Sequence, residues 1–340
     1  MKKGSVTIKD VAKKAGVSPS TVSRVISQNP RISKGTADKV LQCMKELGYY
    51  PNAVARSLAS KKTGTVGVIM PTSSEDIFLN PFFPEVLRGI VKGASQSGYD
   101  LLLSTNFEKD EELKVVENFI RSSKVDGIIL TYSKVNDQCI EFLCSEDFPF
   151  SLIGTPDIHK EKVNHVDNDN FQAAYQGIMD LIAEGRKRIA FLAGDKNLTV
   201  TQMRLAGYKE ALRENGLSFD ENLLYFGNFD EATGNLYGKV IAELEERPDG
   251  IIVTDDVIAF ALVKSLQEFG IKIPEDIGLV SFNNSILAAL ANPPLNSVEV
   301  NPFKLGEEAM NLVVQAMTKG VRGKRTVIPY EIIYRNSTGT

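Results

Sequence analysis

TIKDVAKKAGVSPSTVSRVI, residues 7–26, decides how the N-terminal part of this 340-residue chain folds. Thr7 can cap a helix in which Ile8, Val11, Ala12 and Ala15 recur at i, i+3, i+4 and i+7, a single apolar stripe. Gly16 ends that helix, because a residue without Cβ enters the left-handed conformation of a tight turn at no steric cost. Ser18 supplies a second N-cap, and Pro19 takes the first helical position, where its missing N–H is not needed. Val22, Val25 and Ile26 form the inner face of this second helix; Ser20, Thr21, Ser23 and Arg24 form the outer one. Two short helices joined by a glycine turn, the second with a polar outer face, predict a helix-turn-helix whose recognition helix enters the major groove of DNA.

A third helix is expected from Ser33 as cap, with Ala37, Val40, Leu41, Met44 and Leu47 at helical spacing and Gly48 as its stop. After Tyr49-Tyr50-Pro51, Asn52 can cap a further short helix over residues 53–59. About seven residues are too few to hold a helix in water, where roughly 12 to 15 are marginal, so helicity here is expected to be conditional. Through TIKDVAKKAGVSPSTVSRV (7–25), R-I-S-K-x-T-x-x-K-V (31–40) and LGYYPNAVARSLA (47–59), the chain resembles the LacI/GalR family of bacterial repressors, and the likeness runs along its whole length.

The resemblance implies that residues 52–59 are a hinge helix that pairs with its copy in a homodimer and lies in the minor groove of palindromic operator DNA. Leu58 would be the apolar wedge at the central base step. Taken alone, Leu58 also reads as a core leucine, although Ala55 and Ala59 beside it are small enough for close helix pairing. Pro19, Ser20 and Arg24 match positions from which family members read base edges. Arginine can grip guanine with two hydrogen bonds, whereas Pro19 and Ser20 offer shape and one hydroxyl. Thr7, Ser18, Thr21 and Ser23 are placed as phosphate contacts, and Asn52, Ala55 and Leu58 complete the expected DNA-binding set.

Charge supports this reading. The formal net charge is −4, but residues 1–62 hold 13 Lys and Arg against three acidic residues, about +10, which leaves about −14 for the remainder. A basic module on an acidic body suits a polyanionic partner. A merely solvated basic tail would lack the apolar stripes described above.

From Lys61 the period changes. Short apolar runs at 66–70, 101–103, 125–130 and 151–153 suit buried parallel strands, with helical stretches over 82–97, 108–122 and 136–144 between them. The alternation restarts with strands at 188–193, 223–226, 251–253 and 277–282 and helices near 201–215, 231–246 and 255–269. The expected fold is therefore an all-α headpiece (1–50), a hinge helix and linker (51–62), and a two-lobed α/β body over 63–340, like a periplasmic binding protein, for effector binding and dimerisation. Parallel sheets bind ligands outside the carboxyl ends of their strands, so two facing halves make a cleft.

Residues at those strand ends are the effector-binding candidates: Phe82, Phe83 and Tyr132 from the first half, and Arg204, Phe229, Asp255 and Asn283 from the second. Amides, a carboxylate, an arginine and aromatic faces together suit a sugar. Structural alternatives stand beside them: Asp255 and Asp256 can cap the next helix, and Arg204 can sit in an internal ion pair. The resemblance implies that the arginine of R-L-A-G-Y (204–208) grips effector and that Asp255 and Asn283 fall at effector positions. Asn283 departs from the aspartate often found there, since this chain reads LVSFNN at 279–284. The wording TDDVIAFA (254–261) and SFNNSILAALANPPLNSVEVNPFKLG (281–306) is most similar to the maltose-operon regulators of Gram-positive bacteria within that family. It implies maltose or a maltodextrin as effector, with Phe82, Tyr132, Phe229 and Phe282 for stacking in a chain without tryptophan. A purine corepressor would use the same stacking and is the alternative.

No G-x-x-x-x-G-K, G-x-S-x-G or H-E-x-x-H motif occurs, so the chain is not expected to be an enzyme and needs no cofactor. Cys43, Cys139 and Cys144 lack metal-ligand spacing and read as reduced thiols; His159 and His165 read as a solvated or hydrogen-bonded pair in a loop. The N-terminus has no apolar secretory stretch and no run is long enough to span a bilayer, so a cytoplasmic location is expected. With no leucine heptads beyond a strand-like 327–334, a dimer is expected over a tetramer.

Overall fold

In the computed structural model, described over residues 6–27, 29–50, 62–71, 78–104 and 111–339, the stripe at 8–15 becomes helix α1 (Ile8–Ala15). Thr7 N and Oγ1 both donate to the Asp10 carboxylate, at 2.9 and 2.7 Å, closing its first turn. Gly16 leaves it in the left-handed region at φ 66°. Helix α2 (Pro19–Ile26) starts where Ser18 Oγ accepts from Thr21 N at 3.1 Å, and α3 (Lys34–Leu47) starts at Ser33 and stops at Gly48. Val11, Ala12, Ala15, Val22, Val25, Val40 and Cys43 are the buried core of this three-helix unit. Leu41, expected inside, is 51% exposed. The face of α3 that meets α1 and α2 runs through Val40, Cys43, Met44 and Leu47, and Leu41 lies a helical step of about 100° beyond it.

The chain divides into two units, Met1–Thr63 and Gly64–Thr340. The second begins with β1 (Thr65–Ile69), α4 (Phe82–Ser97), β2 (Asp100–Ser104), α5 (Glu112–Arg121), β3 (Gly127–Leu130), α6 (Gln138–Ser145), β4 (Phe150–Ile153) and β5 (Asn164–Asp167). It continues with α7 (Asn170–Ala183), β6 (Ile189–Ala193), α8 (Thr199–Glu214), β7 (Leu224–Phe226), α9 (Glu231–Ala242), β8 (Gly250–Val253), α10 (Asp256–Glu268), β9 (Gly278–Phe282), α11 (Ile286–Leu290) and β10 (Asn296–Glu299). Then come α12 (Pro302–Lys319), β11 (Arg325–Val327) and β12 (Glu331–Ile333). One sheet runs β11-β5-β4-β3-β1-β2 and is parallel throughout; the other runs β12-β10-β9-β8-β6-β7, with only β12 antiparallel. Both sheets carry helices and bury apolar side chains on their faces, giving lobe 1 and lobe 2.

The lobes do not divide the sequence into two consecutive halves. Helix α12 returns to lobe 1, where Leu305, Ala309, Met310, Leu312 and Val313 join the core beneath α4. The two helices touch backbone to backbone: a Cβ at Gly89 would collide with the Phe303 carbonyl, and one at Gly306 with the Val86 carbonyl. The chain thus passes between lobes near residues 168, 300 and 328, and one side chain joins all three passages. Asn168 Nδ2 donates to Val300 O at 3.1 Å and to Ile328 O at 2.9 Å.

Three further expectations change. The stretch 327–334 is not one strand: Pro329 interrupts it, and its parts join different sheets as β11 and β12. His165 is not in a loop but buried in β5, while His159 Nε2 contacts Glu141 Oε2 at 2.7 Å, so the two histidines are not a pair. Polar Asn164 can occupy β5 because its amide donates to Val321 O and accepts from Lys324 N. Cys43 and Cys139 are buried free thiols and Cys144 is half-buried. Among the described residues no helix is long and apolar enough to cross a membrane.

Candidate ligand cleft and nucleic-acid face

On the headpiece, Pro19, Ser20, Ser23 and Arg24 are exposed along α2 and Thr21 is half-buried. The Arg24 guanidinium makes no hydrogen bond or ion pair among the described residues. Two of the expected phosphate ligands are less free. Ser18 Oγ lies 2.7 Å from Ser20 Oγ and 2.9 Å from Thr21 Oγ1 while it caps α2, and Thr7 is engaged with Asp10. Two of the acids here are engaged as carboxylates: hydrogen bonds from Thr7 hold the Asp10 carboxyl below its ordinary range, and Lys14, at 2.7 Å, does the same for Glu46. Asn52, Ala55 and Leu58 lie outside the described residues.

In the body, the carboxyl ends of the parallel strands converge on a cleft, the place where parallel α/β sheets take small ligands. Phe82, Phe83, Tyr132, Arg204, Phe229, Asp255 and Asn283 all line it. Phe82 and Phe83 open α4 and meet edge to face, their centroids 5.2 Å apart. Tyr132 follows β3; burial and the nearby Glu112 push its hydroxyl pKa up, and Lys134 Nζ reaches both Glu112 oxygens at 2.8 and 2.7 Å. Phe229 follows β7 and rests on Gly194, where a Cβ would strike its ring.

Arg204 projects from α8 and is 6% exposed. Its Nε donates to Asn170 Oδ1 at 2.9 Å and its Nη1 to Thr254 O at 2.8 Å, while Cζ lies 3.9 Å from the centroid of Phe282. Burial lowers its pKa to about 10, against the pull of Asp167, Asp255 and Asp256, so it stays a cation at neutral pH. It forms no direct ion pair among the described residues; amide, carbonyl and ring hold it. Phe282, expected to stack on ligand, is fully buried beneath this guanidinium and does not line the cleft.

Asp255 combines both sequence readings. Its Oδ1 accepts from Val257 N at 2.8 Å, capping α10, and its Oδ2 accepts from Asn80 Nδ2 at 2.9 Å and Asn283 Nδ2 at 2.8 Å inside the cleft. Burial pushes its carboxyl up to about 7, opposed by the Asn80 donor and reinforced by Asp256. Asp256 itself is structural: its oxygens accept from Ser281, Ser297 and the Ser285 backbone at 2.6 to 2.9 Å.

Sequence reasoning missed Asn80. It is buried, lines the cleft from lobe 1 and bonds to Asp255 of lobe 2, while its Oδ1 accepts from Phe82 N at 3.0 Å. The Asn-Pro pair before two phenylalanines signals a helix start but not this reach. The lobes also meet through backbone, Val135 N donating to Asn197 O at 2.9 Å and Thr199 N to Ser133 O at 3.0 Å.

Residues 7–52 match bacterial regulatory proteins of the lacI family, and residues 178–338 match a periplasmic binding protein-like domain. Along almost its whole length the chain is similar to the HTH-type transcriptional regulator MalR of Streptococcus pneumoniae, 37% identical over 336 residues, covering 96% of this chain and 99% of that protein. The chain belongs to the lacI family. Solved structures of related regulators agree with the fold of this lacI-family chain. A complex of the transcriptional regulator CelR with cellobiose superposes with a TM-score of 0.76 at 29% identity, covering 98% of this chain and 99% of the other. A staphylococcal probable maltose operon transcriptional repressor gives 0.73 at 26% identity, over 82% and 99%. The lacI-family chain is a DNA-binding transcription regulator, not an enzyme.

Proposed function

We propose that this regulator is a sugar-responsive repressor whose cleft takes maltose or a related α-glucoside. It binds palindromic operator DNA as a homodimer, reading base edges from α2 chiefly through Arg24, with residues 1–50 as headpiece, 51–62 as hinge and linker and 63–340 as effector and dimerisation domain. The observation that carries the effector reading is the mixed lining of the cleft. The faces of Phe82, Phe83 and Tyr132 from lobe 1 and of Phe229 from lobe 2 stand beside Asn80, Arg204, Asp255 and Asn283, which matches the apolar C–H faces and the hydroxyl edges of a sugar ring. Relatives add support: a related regulator is complexed with cellobiose, a disaccharide, and another is described as a maltose operon repressor. Effector that binds one lobe arrangement better than another shifts the population toward it. Hinge segments too short to be helical singly then part, and operator affinity falls.

The test is isothermal titration of the full chain with maltose, cellobiose and guanine, followed by mobility shift on a palindromic operator with and without the ligand that binds. Heat from maltose and weakened operator binding are expected. Heat from guanine alone would overturn the sugar reading.

A further inference from the structure

Most polar side chains that line the cleft are already committed inside the protein. Asp255 accepts from Asn80, Asn283 and Val257, and Asn80 uses both ends of its amide. Thr131 Oγ1 donates to Ile69 O at 2.9 Å. Two hydroxyls differ. Ser133 Oγ, which follows β3 in lobe 1, and Thr254 Oγ1, at the end of β8 in lobe 2, have no hydrogen-bond partner, although their residues are only 3% and 1% exposed. Both residues line the cleft. Other buried groups, among them Thr201 Oγ1 and Tyr225 Oη, are also unpaired, but they lie off the cleft lining, so it is the coincidence of burial, freedom and position on opposite walls that singles these two out.

A buried hydroxyl without a partner is costly, and native proteins leave few of them. These two are also fixed in place. The Ser133 carbonyl accepts from Thr199 N at 3.0 Å across the lobe seam; the Thr254 carbonyl accepts from Arg204 Nη1 at 2.8 Å, and Thr254 N donates to Leu192 O at 2.9 Å. Held by their own backbones, the hydroxyls wait at set positions. We propose that Ser133 and Thr254, one from each lobe, are effector contacts that set which hydroxylated ligand the cleft accepts. The inference rests on the reading of the cleft as the effector site. Each hydroxyl can both donate and accept, so a ligand with two correctly spaced hydroxyls satisfies both, and one lacking either leaves a buried group unpaired.

The experiment uses the full chain and whichever of maltose, cellobiose and guanine the wild type binds. Ser133→Ala and Thr254→Val remove the hydroxyls with little change of volume, and Thr254→Ser keeps one. Each deletion is expected to raise the dissociation constant about tenfold, while the ligand-free melting temperature stays unchanged or rises, since no partner is lost. Thr254→Ser is expected to bind within about threefold of wild type. A structural role would move the melting temperature and leave the dissociation constant alone. Wild-type affinity in both deletion variants overturns the inference while the effector site stands. Absence of heat from all three ligands with the wild type overturns the reading of the site, and the inference with it.

Discussion

Arg24 and Arg204 carry the same guanidinium into opposite surroundings. Arg24 stands exposed on a short helix over a core of seven small buried side chains, with no partner among the described residues. Arg204 is buried, bonded through two nitrogens and laid on Phe282. On the function proposed for the two sites, the difference teaches what each kind of recognition needs. A base edge in a groove brings its own acceptors and counterions, so its reader must arrive free and keep its rotamers. A small ligand enclosed in a cleft cannot reorganise charge around itself, so the protein fixes its dipoles beforehand.

The contrast breaks most visibly at Arg204. Arg204→Ala is expected to abolish ligand heat and to lower unfolding stability by about 3 kcal/mol, because Asp167, Asp255 and Asp256 lose the buried cation that opposes their charge. Urea unfolding that matched wild type would show that the network is not under electrostatic load.

Asp255 sharpens the same point through pH. Its carboxyl is raised from 3.8 to about 7, so the folded chain holds this proton more tightly than the unfolded chain does. The stabilisation is full below about pH 4 and is lost as pH rises through 7. Asp255→Asn cannot ionise, so between pH 5 and 8 its stability should move by about 2 kcal/mol in its favour relative to wild type. A constant difference across that range, measured by denaturant unfolding, would refute the raised carboxyl.

At Arg24 the effect is smaller and lies in binding. Arg24→Ala is expected to leave the melting temperature unchanged and to weaken operator binding about tenfold, with random DNA little affected. An equal loss on both DNAs would make Arg24 a phosphate contact. The smallest effect separates two neighbours in α3. Val40→Ala should destabilise the headpiece by about 1–2 kcal/mol, whereas Leu41→Ala should stay within about 0.5 kcal/mol.

Leu41 also marks where the sequence was legible and where it was not. Caps, glycine stops and stripes fixed three helices to within a residue or so, yet Leu41 sits at the edge of a stripe, and only packing decides such positions. The strand–helix alternation and the seven cleft residues were readable because apolar runs mark strands and ligands gather at strand ends. Residues 164–167 were not, since Asn, His and Asp conceal a strand: the Asn164 amide is satisfied by Val321 and Lys324, far along the chain, and the Asp167 carboxylate by Thr155 and Asn170. Asn80 and Ser133 were missed for a related reason. Nothing local to a side chain tells whether a distant partner has already engaged it.

The return of α12 to lobe 1 has a consequence for synthesis. At roughly 5–20 residues per second, the ribosome needs on the order of ten to thirty seconds to pass from the end of β5 to the end of α12. Throughout that interval the α4 face that Leu305, Met310 and Val313 will cover has emerged without its lid. The first lobe to be translated is among the last to be finished, and a nascent chain halted near residue 300 would present that apolar face to chaperones.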